Sequence, residues 1–181
     1  MELIQNIDFN ILEYIRANMT SEFLDKIMPF ITILGSGGFI WIIIAFIFIV
    51  KKKFRKDGFL LICSLLFCLL IGNLTLKPLV ARIRPCDINT AVTLLIERPT
   101  DFSFPSGHTM TSFASTLVIF NANKKMGFAA LVLASLIAFS RLYLYVHFPS
   151  DIIAGLAIGL LISISVINYY KFNIKREKST N

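Results

Sequence analysis

Apolar residues in this chain arrive in long unbroken runs, not in the alternating or 3.6-residue patterns of a soluble domain. The runs cover residues 27–50, 58–76, 107–120, 127–145 and 152–170. Most approach the roughly 20 residues a helix needs to cross a bilayer, so they predict five transmembrane helices. The third run is short and carries Thr109, Thr111, Ser112, Ser115 and Thr116. It is therefore expected inside the bundle, where other helices rather than lipid meet its hydroxyls. Ahead of the first run, Ile4, Ile7, Ile11 and Ile15 recur at helical spacing among Glu2, Asp8, Glu13 and Arg16, the pattern of an amphipathic helix lying on a membrane surface. The expected fold class is all-α: a polytopic membrane helical bundle of about five transmembrane helices plus an N-terminal amphipathic interfacial helix. Residues 1–26 form the interfacial segment, 27–171 the transmembrane unit and 172–181 a basic tail.

Composition supports the membrane reading. A chain of 181 residues that is 56% hydrophobic, with mean hydropathy +0.73, is too apolar for an ordinary soluble domain. The N-terminus lacks a basic stretch, an apolar stretch and a small-residue cleavage site in that order, so no removable signal peptide is expected. The net charge of +7 sits in segments flanking the apolar runs, where membrane topology accounts for it. Nucleic acid is excluded as a partner on that ground. Cys63 and Cys68 fall inside the second run and only Cys86 lies in a loop, which gives no disulfide framework.

Lys51, Lys52, Lys53, Arg55 and Lys56 crowd the loop after the first run. Lys124 and Lys125 mark the loop after the third, and Lys171, Lys175, Arg176 and Lys178 mark the end of the chain. The positive-inside rule makes these segments cytoplasmic. The C-terminus is then cytoplasmic, and loops 77–106 and 145–151 share the extracytoplasmic face. The first of these loops carries Lys77, Arg82, Arg84 and Arg98 against the rule, but the cluster of five in one short loop outweighs them.

The polar residues of that face carry the candidate chemistry. Lys77 and Arg84 lie seven positions apart, two helical turns, so a second helix continuing past Pro78 would project both from one face. Alone, such a pair reads first as snorkelling anchors or topology signals. Pro105-Ser106-Gly107-His108 opens the third run with a good N-cap serine, leaving free backbone N–H groups suited to an anion. His108 is either a packed residue or a functional one. Arg141 lies inside the end of the fourth run, where an arginine costs up to about 2.5–3.5 kcal/mol and calls for an anion. His147 and Asp151 are four apart. One helical turn would bring carboxylate to imidazole, holding Nδ1–H and leaving Nε2 its lone pair, as a nucleophile or base requires; the alternative is that Asp151 only caps a helix. Gly155 and Gly159, and Gly35-Ser36-Gly37-Gly38, suit close helix packing, and the first pair also offers a homodimer face.

Lys77-x6-Arg84-Pro85, then Pro105-Ser106-Gly107-His108, then Ser140-Arg141-x5-His147-x3-Asp151 resembles the three-part signature of the type 2 phosphatidic acid phosphatase family. The resemblance implies His147 as nucleophile, Asp151 as its orienting partner and His108 as general acid. It also implies Lys77, Arg84, Ser106, Gly107 and Arg141 as the phosphate-binding set. No metal and no other cofactor is expected. The implied reaction is hydrolysis of a lipid phosphate or diphosphate through a phosphohistidine, with membrane lipids around the protein and a lipid phosphate as its partner. Undecaprenyl diphosphate is the first expectation. Phosphatidylglycerophosphate or phosphatidic acid is the alternative, because members resembling undecaprenyl diphosphatases can carry Asp where this chain has Gly107. A non-catalytic membrane protein is the remote alternative. Vanadium haloperoxidases share the phosphate-binding residues but are soluble and much larger. Family members often have six spans; here a surface helix stands in place of the first.

Overall fold

A computed structural model describes residues 2–180. Met1 of the expected surface helix and Asn181 of the expected tail lie outside the described residues, as do the side chains of Ile174, Lys178, Ser179 and Thr180. Among the described residues the chain is all helical, with no strand. Helices α1 (Glu2–Asn18), α2 (Glu22–Gly35), α3 (Phe39–Val50) and α4 (Arg55–Phe67) come first. Two short helices follow, α5 (Lys77–Val80) and α6 (Pro85–Ile88). A loop then leads to α7 (Gly107–Ala122), α8 (Lys124–Tyr143) and α9 (Pro149–Thr180). The last residues, expected as a separate tail, continue α9 as helix.

Four helical stretches are long and apolar enough to cross a membrane: Glu22–Val50, Lys52–Ile88, Lys124–Tyr143 and Pro149–Glu177. They match four of the five expected spans. The fifth, α7, has 16 residues and so a length of about 24 Å, short of a bilayer core. It survives because it packs against α4, α8 and α9. Its hydroxyls find partners there. Trp41 Nε1 donates to Ser112 Oγ at 3.0 Å, Ser163 Oγ donates to the Ala114 carbonyl at 2.8 Å, and Thr116 Oγ1 donates to the Ser112 carbonyl at 2.9 Å. Ser115 Oγ is buried without a partner. Trp41, Phe48, Leu61, Val118, Ile119 and Ile137 fill the main core around α7.

Glycines set the distances in this core. A Cβ at Gly155 would lie 2.7 Å from the Ser106 carbonyl oxygen, and one at Gly159 would lie 2.3 Å from that of Met110. The two glycines read as a possible homodimer face thus pack against α7 of the same chain.

The first span starts earlier than the apolar run, at Glu22, where Ser21 Oγ accepts from Leu24 N at 3.3 Å. It breaks at Ser36–Gly38, where Gly37 and Gly38 take φ of 58° and 74°, a left-handed backbone that glycine adopts without steric cost. The second span departs from the expectation more sharply. Cys68–Leu76 runs in wide π turns, closed by Lys77 N donating to the Gly72 carbonyl, and α5 ends at Ala81 with φ 48°. The helix therefore does not carry Arg84 on the same face as Lys77; an irregular loop does.

Helix α1 turns Ile4, Ile7 and Ile11 outward and buries Leu12 and Ile15 against the segment Tyr143, Leu144, Tyr145, Val146 and Phe148, with Asp8 buried against Arg82 and Ser150. The basic loops gather at the opposite end of the bundle, where Asn121 Nδ2 reaches Asp57 Oδ1 at 3.4 Å.

Candidate active site

Lys77, Arg84, His108, Arg141 and His147 line one cleft of about 710 Å³, with Thr32, Ser36 and Asp101. Each arrives from a different element. Lys77 starts α5, Arg84 precedes α6, His108 is in the first turn of α7, Arg141 ends α8, and His147 sits in the turn before α9. A second, mostly apolar cavity of about 370 Å³ shares Lys77, Asp101 and His108 with the cleft. It runs between the break in the first span and the second span, past Ile42, Leu65, Leu66 and Leu69.

His147 is 1% exposed. Its Nε2 lies 3.1 Å from Arg84 Nη1. A guanidinium only donates, so Nε2 is the acceptor and the proton is on Nδ1. Burial, then the charges of Arg84, Arg141 and Lys77, hold the imidazole below its usual range, which keeps it neutral with a nucleophilic lone pair. Behind the ring the arrangement differs from the expected direct bond. Nδ1 is 3.6 Å from Asp151 Oδ2, beyond hydrogen-bond length. Ser103 lies beside both groups, with Oγ 3.5 Å from Nδ1 and donating to Asp151 Oδ2 at 2.5 Å. Asp151 also accepts from Phe148 N at 2.9 Å and from Arg82 Nη1 at 2.6 Å. Nδ1 thus faces both a carboxylate and a serine at similar distances, and the carboxylate is itself held by an arginine.

His108 faces the break in the first span. Gly35 packs so closely that a Cβ there would lie 2.8 Å from His108 Cδ2. Ser36 Oγ lies 3.3 Å from His108 Nε2 and 3.4 Å from the Thr32 carbonyl. A hydroxyl has one proton. If that proton goes to Thr32, Nε2 carries the other, on the side of the ring that faces the cleft.

The three cations differ in their partners. Lys77 Nζ pairs with Asp101 Oδ2, and Arg84 Nη2 pairs with Asp101 Oδ1 at 2.6 Å. Burial pushes the Asp101 carboxyl up, yet Lys77 and Arg84 outweigh it and hold it at about 2. Arg141 is 4% exposed; its Nη1 donates to Thr32 Oγ1 at 2.8 Å, and its Nε is buried with no partner. Ser106 caps α7, its Oγ accepting from Thr109 N at 3.5 Å, and its N–H donates to the Asp151 carbonyl at 3.2 Å. This ties the start of α7 to the start of α9. Gly107 lines the apolar cavity beside His108, and the first-turn N–H groups of α7 form its positive end.

All eight expected residues thus gather at one end of the bundle, five around the cleft and Ser106, Gly107 and Asp151 at its borders. Sequence reasoning missed Ser36, Asp101 and Ser103, and took Arg82 for a topology signal. The glycines around Ser36 and the position of Asp101 and Ser103 just before Pro105 were the available signals.

Residues 57–175 match the family described as PAP2 superfamily. Over 162 residues the chain is 32% identical to a protein of Sulfolobus acidocaldarius named undecaprenyl-diphosphatase, covering 88% of this chain and 77% of that one. It is 34% identical over 157 residues to phosphatidylglycerophosphatase B of Bacillus subtilis, covering 77% and 71%. A crystal structure of a transmembrane PAP2-type phosphatidylglycerolphosphate phosphatase from Bacillus subtilis superposes with a TM-score of 0.77 at 28% identity, over 94% of this chain and 88% of that one. With the matched region holding every cleft residue expected from the signature, the chain belongs to the PAP2 superfamily, as a multi-pass membrane phosphatase.

Proposed function

We propose that this lipid phosphatase acts through a phosphohistidine on His147, without a metal, and that its substrate is undecaprenyl diphosphate. The observation that carries the reading is the convergence of a neutral His147 Nε2, three cations and His108 on one cleft that opens into an apolar cavity. Nε2 attacks phosphorus and forms the P–N bond as the P–O bond to the leaving group breaks. His108 gives its proton to the departing oxygen. Lys77, Arg84, Arg141 and the N-terminal N–H groups of α7 at Ser106 and Gly107 hold the phosphoryl oxygens, where preorganised donors stabilise the developing charge by several kcal/mol. Ser103 and Asp151 keep the Nδ1 proton in place while the ring becomes cationic. Water then attacks the phosphohistidine, His108 takes its proton, and inorganic phosphate and undecaprenyl phosphate leave.

The apolar cavity supports a lipid substrate. A chain lying along Leu65, Leu66 and Leu69 gains about 0.8 kcal/mol for each buried CH₂, so binding strength comes from the tail while the cations select the head. We place the cleft on the extracytoplasmic face and the C-terminus in the cytoplasm, because the basic loops lie at the other end. The bundle is the phosphatase unit, α1 a surface-lying helix that braces it, and the end of α9 a basic cytoplasmic segment. Phosphatidylglycerophosphate is the second reading, favoured by the identity to phosphatidylglycerophosphatase B.

The test is phosphate release by the purified protein in detergent with EDTA, comparing undecaprenyl diphosphate, phosphatidylglycerophosphate and phosphatidic acid. The expected result is EDTA-resistant release, fastest with the first and abolished in His147→Ala. Release that survives the mutation, or that EDTA removes and magnesium restores, overturns the mechanism. Faster release from the second lipid moves the substrate to the second reading.

A further inference from the structure

Lys77 and Arg84 already share an anion. Asp101, in the loop between α6 and α7, gives one carboxylate oxygen to Lys77 Nζ and the other to Arg84 Nη2 at 2.6 Å. Its backbone carbonyl accepts from Arg84 Nε at 2.7 Å. Arg84 Nη1 donates to the Val146 carbonyl at 2.6 Å and to His147 Nε2 at 3.1 Å, and Nη2 also reaches the Phe102 carbonyl at 3.3 Å. A guanidinium has five N–H groups, and these five contacts engage all of them. Phosphate cannot be held by Arg84 unless one contact is given up.

The contact to the Asp101 carboxylate is the one that can go. Val146, Phe102 and Asp101 itself offer backbone carbonyls, whereas the Asp101 carboxylate is on a rotatable side chain that is 54% exposed. Its carboxylate presents two oxygens to a lysine and an arginine, as a phosphate does. Two anions cannot occupy that position together. Arg141, the third cation, makes no ion pair among the described residues and keeps a buried Nε without a partner. An entering phosphate therefore meets one available cation and two that Asp101 holds.

We propose that Asp101 is an internal competitor for the phosphate position: its carboxylate holds Lys77 and Arg84 until a substrate phosphate displaces it, and returns to drive out inorganic phosphate after hydrolysis. The proposal rests on Lys77, Arg84 and Arg141 being the phosphate cradle. The guanidinium that Asp101 holds also donates to His147 Nε2, so the anion that replaces the carboxylate is held beside the attacking nitrogen. Asp101 thereby sets how tightly phosphate and substrate bind, by opposing both.

The experiment measures inhibition by inorganic phosphate, read as slower consumption of ³²P-labelled lipid substrate, in wild type, Asp101→Asn and Arg141→Gln. Asp101→Asn keeps the shape and removes the charge, so its inhibition constant for phosphate should fall about tenfold, the effect of losing one charge-assisted competitor. KM should fall with it, and kcat should drop as product release slows. An inhibition constant equal to or higher than wild type overturns the proposal and makes Asp101 a residue that only arranges the two cations. Asp101→Ala gives the same comparison if the asparagine variant is unstable. Arg141→Gln tests the underlying reading separately: inhibition as strong as in wild type means that the three cations are not the phosphate cradle, whatever Asp101 does.

Discussion

At the scale of single residues, the two histidines are prepared in opposite senses by neighbours from distant parts of the chain. Arg84 forces Nε2 of His147 to be an acceptor, and Ser36 with Thr32 favours a proton on Nε2 of His108. A nucleophile and an acid need this difference. Ser36→Ala should therefore lower kcat for a lipid substrate by about fivefold, the worth of one modest hydrogen bond, with little change in KM. With an aryl phosphate, whose leaving group needs no proton, the same variant should match wild type. An equal loss on both substrates would make Ser36 merely structural. The gathering of His147, His108, Asp151 and the three cations at one end of the bundle was legible through the three-part resemblance, whereas spacing alone left each of them a packing, capping or topology reading. Ser36 was not legible, since its contact with His108 joins positions 72 residues apart through a backbone break that no hydrophobic pattern reports. Ser103 was missed for a similar reason: the spacing of His147 and Asp151 pointed only to each other, and Ser103 reaches both from a loop 44 and 48 residues away.

Elements carry the site through their ends, and α1 is the least expected contributor. Its amphipathic pattern was legible, but the pattern does not say which polar residue turns inward. Asp8, 4% exposed at its side chain, accepts from Arg82 Nη2 at 2.7 Å, from Ser150 N at 2.9 Å and from Ser150 Oγ at 2.5 Å. The carboxylate thus caps the first turn of α9 from another helix, where negative charge is favoured. Through Arg82, which lies 4.1 Å over the Phe148 ring, it also fixes Asp151. Arg82 is 21% exposed, so breaking this pair costs less than a fully buried one, about 2–3 kcal/mol. Asp8→Asn should lower the melting temperature in detergent by about 5–10 °C and reduce kcat, because Asp151 then loses its brace. Glu13→Gln, which touches only the Tyr145 hydroxyl from an exposed position, should do neither. Equal behaviour of the two variants would reduce α1 to a surface anchor. The π turns at Cys68–Leu76 and the stop at Ala81 were equally hidden, because an apolar run records burial and not the number of residues per turn.

For the molecule as a whole, the question is which end faces which side of the membrane, and the structure removes the one objection the sequence raised. The loop between the second and third spans carries four basic residues, yet each has a carboxylate beside it. Lys77 and Arg84 have Asp101, Arg82 has Asp8 and Asp151, and Arg98 has Asp87. These cations build a site, and their number is explained without a topological role. Among the described residues no such ion pair joins Lys51, Lys52, Lys53, Arg55 or Lys56 to a carboxylate, so in the proposed orientation that cluster is the topological signal. Single cysteines placed at Lys53, Lys125 and Glu97 in a chain with Cys63, Cys68 and Cys86 replaced by serine or alanine separate the two orientations. An impermeant maleimide added to intact cells should label the cysteine at Glu97, an exposed loop residue beside the cleft, and leave the other two unlabelled until the membrane is opened. Labelling at Lys53 and Lys125 instead would turn the bundle over and put the cleft in the cytoplasm, where it would meet lipid phosphates of the inner leaflet. Because the apolar cavity lies between the first and second spans and shares Lys77, Asp101 and His108 with the cleft, under the proposed function the labelling result also fixes which leaflet's lipids reach the site.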